Sequence, residues 1–134
     1  MTASWQQRFD SARPTYTRVN EKRFADLEAG TSVLIPSPQD IEREINGVGS
    51  GETIDLSELR VRLANRHGAD GSCPVMTGMN LRIVAELSFE ALDCGAAPDE
   101  VTPVWRAVCP TSNLATKLRG GSDRLTALIA GESC

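Results

Sequence analysis

Between Thr77 and Gly95 apolar residues recur at helical spacing, with Met79, Ile83, Leu87 and Ala91 each four positions apart and Val84 beside them. A period near 3.6 is what a helix with a buried face requires, and the glycine supplies a stop. Thr77 is placed to cap this long helix, since a threonine hydroxyl can take up a first-turn amide. Just upstream, Ser57 is placed to cap a shorter helix that buries Leu59, Leu63 and Ala64 and ends at Gly68 and Gly71. A tight Gly/Pro loop containing Cys73-Pro74 joins the two. Two helices across such a loop form a helix-turn-helix candidate in which the second helix is the usual reader of DNA.

The flanking segments complete a fold class. Ser37-Pro38-Gln39-Asp40 opens a helix with proline at its first position and Asp40, Glu42 and Glu44 near its positive end. Ile41, Ile45 and Val48 give that helix its apolar stripe. After Gly47, Gly49 and Gly51, the alternation in Thr53-Ile54-Asp55-Leu56 predicts a short strand. A second strand is predicted over Val104–Val108, Gly120-Gly121 returns the chain, and Asp123–Ala130 forms a last helix. Helices followed by a two-stranded flap predict a mainly α winged helix-turn-helix domain with a small β wing over residues 35–134. Residues 1–34, with Trp5, Phe9, Tyr16 and Phe24, read as an arm packed on it, and the spacing over Val19–Leu27 suits a helix ending near Gly30.

A chain of 134 residues with 40% hydrophobic content supports one core and hence one domain. The first residues hold no apolar leader and no stretch is long enough to span a bilayer, so the expectation is a cytoplasmic protein with no membrane partner. Cys73, Cys94, Cys109 and Cys134 include no CxxC pair and have only His67 beside them, which argues against zinc and for idle free thiols. Fourteen basic and eighteen acidic side chains give a formal charge of −4, which weighs against tight DNA binding. A local basic patch could still bind phosphates.

A resemblance sharpens the picture. The run Ile35-Pro36…Gly51-Glu52-Thr53-Ile54-Asp55-Leu56-Ser57-Glu58-Leu59…Leu63-Ala64 is similar to the opening of the DNA-binding domain of alkylguanine-DNA alkyltransferases. Thr102-Pro103-Val104-Trp105-Arg106-Ala107-Val108 resembles that family's active-site segment, Ile-Pro-Cys-His-Arg-Val-Val. Asn113…Gly120-Gly121 resembles its wing and Leu128…Glu132 its closing helix. The turn from Cys73 to Gly78 is like that of a bacterial side branch carrying Cys-Pro-x-x-Thr-Gly.

The departures decide what the resemblance implies. Val104 stands at the cysteine position and Trp105 at the histidine position, so of the thiolate relay only Glu132 remains and alkyl transfer from this site is excluded. Leu56 matches the tyrosine that turns the target phosphate, Arg82 matches the arginine that fills the gap left by a flipped base, and Ala96-Ala97-Pro98 offers no asparagine hinge. The implied precedent is an alkyltransferase-like protein: non-enzymatic, without cofactor or metal, binding duplex DNA with an alkylated guanine and flagging it to a repair-protein partner.

On that reading Val104, Trp105, Glu132 and Thr77 surround a base pocket open to solvent, and Arg82, Arg106, Lys117, Arg119 and Arg62 meet DNA. Arg60, Arg66 and Arg124 are further candidates for the DNA-facing side. Trp105 reads more readily as core than as pocket, and the arginines read also as solvated faces balanced by Glu58 and Asp123. His67 with Cys73, or Cys109 as a displaced thiol, are weaker nucleophile candidates. The alternative class is a repurposed alkyltransferase fold acting as a small-molecule enzyme or an interaction module.

Overall fold

The computed structural model describes residues 4–132. Six helices and three short strands follow one another: α1 (Trp5–Asp10), β1 (Tyr16–Val19), β2 (Ser32–Ile35), α2 (Pro38–Asn46), α3 (Leu56–His67), β3 (Gly71–Ser72), α4 (Pro74–Asp93), α5 (Asn113–Lys117) and α6 (Gly121–Glu132). Single 3-10 turns at Pro98–Glu100 and Val104–Arg106 lie between α4 and α5. The molecule is therefore mainly helical with a small sheet, and no described helix is long and apolar enough to cross a membrane.

Helix α4 is the central strut. It begins at Pro74, three residues before Thr77, because proline at the first helical position has no N–H to leave unpaired. Thr77 is consequently not the cap. It lies inside the first turns, wholly buried, and its hydroxyl donates back to the Cys73 carbonyl at 2.6 Å. Helices α1, α2 and α3 pack against α4, and its innermost line is Leu81, Val84, Ala85 and Phe89. Met79, expected inward, is 58% exposed.

Helix α3 is capped by Asp55, whose carboxylate accepts from the Glu58 amide at 2.8 Å, and not by Ser57. Asp55 followed three residues on by Glu58 is itself a helix-start signature, and it takes Leu56 into the first turn. The strand expected over Thr53–Leu56 is thus absent. Its one sheet-like bond runs from the Ile54 amide to the Arg106 carbonyl at 2.7 Å. Gly68 closes α3 in the left-handed conformation, φ +68°. Helix α2 forms as its sequence predicts, with Ser37 accepting from the Asp40 amide and Ile41, Ile45 and Val48 buried.

The sheet is N-terminal. Strand β1 pairs antiparallel with β2, Tyr16 opposite Ile35 and Val19 opposite Ser32, and β2 pairs in parallel with β3. The helix expected over Val19–Leu27 is replaced by the end of β1 and a turn closed by Phe24 and Leu27. Tyr16, Thr17 and Val19 are strand formers, and the Ser32–Ile35 edge beside them decides in favour of pairing. Residues 104–108 and 113–121 form no wing among the described residues. Val104–Arg106 is a 3-10 turn set by Pro103 with no strand beside it, and Ser112 caps the helix α5.

Most buried apolar side chains form one core around Ile41, Ile45, Leu63, Leu81, Phe89 and Trp105. A satellite of Leu27, Val33, Ile35 and Cys73 fixes the sheet to the start of α4. The arm is thereby woven into the domain through β1 and β2.

Candidate functional site

The turn after Pro103 carries Val104, Trp105 and Arg106, and it is buried between α4 and α6. Val104 has no exposure and Trp105 has 2%, so both side chains pack into the interior, yet Trp105, Arg106 and Glu132 edge an open cavity of about 320 Å³ together with Pro98, Asp99 and Leu128. Arg106 donates through Nε to Glu132 at 2.9 Å and through Nη1 to the Val48 carbonyl at 2.8 Å. Glu132 also accepts from the Gly51 amide at 3.3 Å. The Arg106 guanidinium is the main cause that holds the Glu132 carboxyl below its ordinary range. The buried Trp105 indole N–H approaches the same carboxylate without completing a hydrogen bond. Trp105, Arg106 and Glu132 do come together, as a knot that ties the loop at residues 48–51 to α6. Thr77 and Val104 lie in the packed interior.

The predicted DNA-contacting cations are mostly engaged within the chain. Arg62 pairs with Glu58 at 3.2 Å, and Arg119 pairs with Asp93 at 3.2 Å and Glu90 at 3.6 Å. Arg124 joins Asp93 at 2.9 Å and lies over the Phe89 ring, and these two guanidiniums lower the Asp93 carboxyl. Arg60 is committed to Asp26 and to the Ser72 carbonyl, and Arg66 to Glu44, which is buried on α2. Arg82 lies over the Trp5 ring of α1, 5.2 Å from its centroid, with Nε buried and without a hydrogen-bond partner. Lys117 stands exposed in the last turn of α5.

An open cavity of about 390 Å³ lies beside the Val104 turn, where the N-termini of α3 and α5 converge on α4. Leu56 and Ser57 line it from α3, Gly78 and Leu81 from α4, Val108 from the following loop and Leu114 from α5. Leu81 and Val108 are buried and form an apolar floor, while Leu56 is 37% exposed at the mouth. At the two helix starts the Glu58 amide is taken by the Asp55 carboxylate and the Ala115 amide by the Ser112 hydroxyl. Gly78 lies inside α4 on this wall, as Gly131 lies inside α6 on the neighbouring cavity beside Trp105. Glycine inside a helix costs about 0.5–1 kcal/mol relative to alanine, yet a Cβ at Gly78 would meet nothing within 4 Å. The interior packing of this chain does not require the missing side chain; the open space belongs to the cavity.

Cys109 sits exposed on the cavity rim, its sulfur 3.1 Å from the Thr111 hydroxyl, which is the main cause that lowers its thiol pKa. No histidine stands beside it. His67 faces Asp40 at 3.6 Å, and Cys73 is buried in the satellite core, so the suggested His67–Cys73 pair is not assembled. Cys94 is exposed, and Cys134 lies outside the described residues. No group of His, Cys, Asp and Glu among the described residues could hold a metal ion.

Sequence reasoning missed this cavity because it assigned the pocket to the turn that carries the resemblance. Two signals were present: a glycine within the strongest helical pattern, and a leucine directly after a capping aspartate. The Trp5–Arg82 contact joins positions remote in sequence and left no local signal. No family model, curated protein or solved structure matches the chain.

Proposed function

We propose that this chain is a non-enzymatic DNA-binding protein of the alkyltransferase-like type, which receives an extruded alkylated guanine in the cavity between α3, α4 and α5. The observation that carries the reading is Gly78: a helix-interior glycine on a cavity wall, with open space where a side chain would stand. Such a position suits close approach of a flat ligand to the helix backbone. On this reading α3 and α4 act as the helix-turn-helix, with the helical segment 113–121 in place of a wing. An apolar floor at Leu81 and Val108 suits an alkyl group. Val75 and Met79, exposed at 52% and 58% on α4, are apolar side chains of the kind that wedge between base steps.

The cations fit the reading if their intramolecular partners can be exchanged. Exposed pairs such as Arg62–Glu58 and Arg119–Asp93 are screened by solvent and hold their arginines weakly, so a phosphate can take over the arginine. Arg106 differs, because its partners are shielded, and it acts as a structural residue. Alkyl transfer has no agent: Val104 is not a nucleophile and Cys109 lacks a base.

One observation favours a second reading, an interaction module for another protein. Leu56, Val75 and Met79 are exposed apolar side chains flanking the cavity, whereas most arginines are already paired. Anisotropy titrations with duplexes containing guanine or a single O6-methylguanine at low salt separate the two. Tighter binding of the modified duplex, lost in Gly78→Leu, supports base capture. Absence of binding to either duplex overturns it and leaves the interaction module.

A further inference from the structure

We propose that α1 is an autoinhibitory cover, in which Trp5 occupies the guanidinium of Arg82 and must be displaced before Arg82 can meet a phosphate backbone. The proposal rests on the DNA-binding reading and names how that surface is controlled. Trp5 contacts two guanidiniums, with Arg8 4.6 Å and Arg82 5.2 Å from its ring centroid. Arg82 stands one turn along α4 from Gly78, so the covered cation flanks the cavity wall.

The cover holds Arg82 without satisfying it. An indole face attracts a cation but offers no lone pair in the plane of the guanidinium, and Arg82 Nε is left buried without an acceptor. A phosphate oxygen supplies that acceptor as a charge-assisted hydrogen bond. Glu86, one turn further along α4, does not serve instead: its Oε1 is likewise buried and unpartnered. Exchange of indole for phosphate therefore mends a deficit already present in the covered state, and it frees Arg8 as a second cation.

The cover is also lightly attached. Helix α1 has six residues and buries none of them. Beyond Trp5 it is held by the half-buried Phe9, whose carbonyl accepts from the Gln39 side chain at 2.7 Å. The stronger anchor follows it, where Thr15 bonds Ser37 and Asp40 at the start of α2. Release of α1 up to that anchor leaves the sheet and the satellite core in place and withdraws only Phe9 from the edge of the main core.

If only the uncovered fraction binds, apparent affinity is reduced by that fraction. Full-length wild type, Trp5→Ala and Trp5→Ala/Arg82→Ala should be titrated by anisotropy against a duplex carrying one O6-methylguanine at low salt. Trp5→Ala is expected to bind about fivefold tighter than wild type, and the double variant to lose the gain. Trypsin cleavage after Arg8 is expected to accelerate when wild type is saturated with the duplex. If wild type prefers the modified duplex but Trp5→Ala binds no tighter, the cover is overturned and the function stands. If the gain survives Arg82→Ala, the pairing of Trp5 with Arg82 is overturned. If neither wild type nor Trp5→Ala binds, both the cover and the DNA-binding reading fall.

Discussion

Glu132 shows how a residue can keep its identity and change its task. Its carboxylate is bonded by Arg106 and by the Gly51 amide, so removing either side chain strands a shielded charge. Arg106→Ala should cost about 2–3 kcal/mol in urea unfolding, below the range for a fully buried pair because both side chains retain some exposure. The carboxyl is depressed in the folded chain by Arg106, so its stabilising share is complete above the ordinary carboxylate value, about pH 4.3, and is lost as pH falls through the lower folded value. Glu132→Gln should therefore be less stable than wild type at neutral pH and lose less further stability on acidification below about pH 4.3. Asp26 and Asp93, also depressed by arginines, keep their own shares in both proteins. Gly78 makes the opposite kind of prediction. Gly78→Ala should raise stability by about 0.5–1 kcal/mol, since the methyl group clashes with nothing and relieves the entropic cost of helical glycine. The same change should weaken capture of a modified base. A stabilising substitution that impairs binding would mark this glycine as functional.

At the scale of elements, the competing N-termini of α3 provide a direct check. Asp55→Ala should cost about 1 kcal/mol in urea unfolding, whereas Ser57→Ala should stay within about 0.5 kcal/mol. Equal costs would contradict the observed cap. Elements defined by local chemistry were readable in the sequence: α2 from Ser37-Pro38 and its stripe, the stop of α3 at Gly68, the end of α4 near Gly95, and α6. Elements defined by a partner were not. Tyr16–Val19 becomes a strand because Ser32–Ile35 lies beside it, and Val104–Val108 fails to become one because no strand does. Burial misled in the same way. A helix surrounded by neighbours turns several sides inward, so the period alone placed Met79 inside, where the structure exposes it. The candidate site was half legible. Trp105, Arg106 and Glu132 were singled out and do meet at the edge of one cavity, but a second lies one element away, at residues drawn from three helices.

For the whole molecule the difficulty is charge. A net −4 with most arginines paired internally leaves little excess of positive charge, so binding to DNA should be weak. Lys117→Ala, removing a cation exposed on α5, should weaken binding to modified and unmodified duplexes alike and make the salt dependence shallower. Intact-mass spectrometry after incubation with O6-methylguanine DNA should show no added methyl group. A methylated Cys109 would make this chain an enzyme using a thiol on the cavity rim. The most direct measurement is the ratio of affinities for O6-methylguanine and guanine duplexes, taken for wild type and Gly78→Leu under one low-salt condition. Base capture in the α3–α4–α5 cavity predicts a clear preference for the modified duplex in wild type and none in Gly78→Leu, with the variant still folded by circular dichroism. Equal affinities in wild type, or a preference that survives Gly78→Leu, would contradict it.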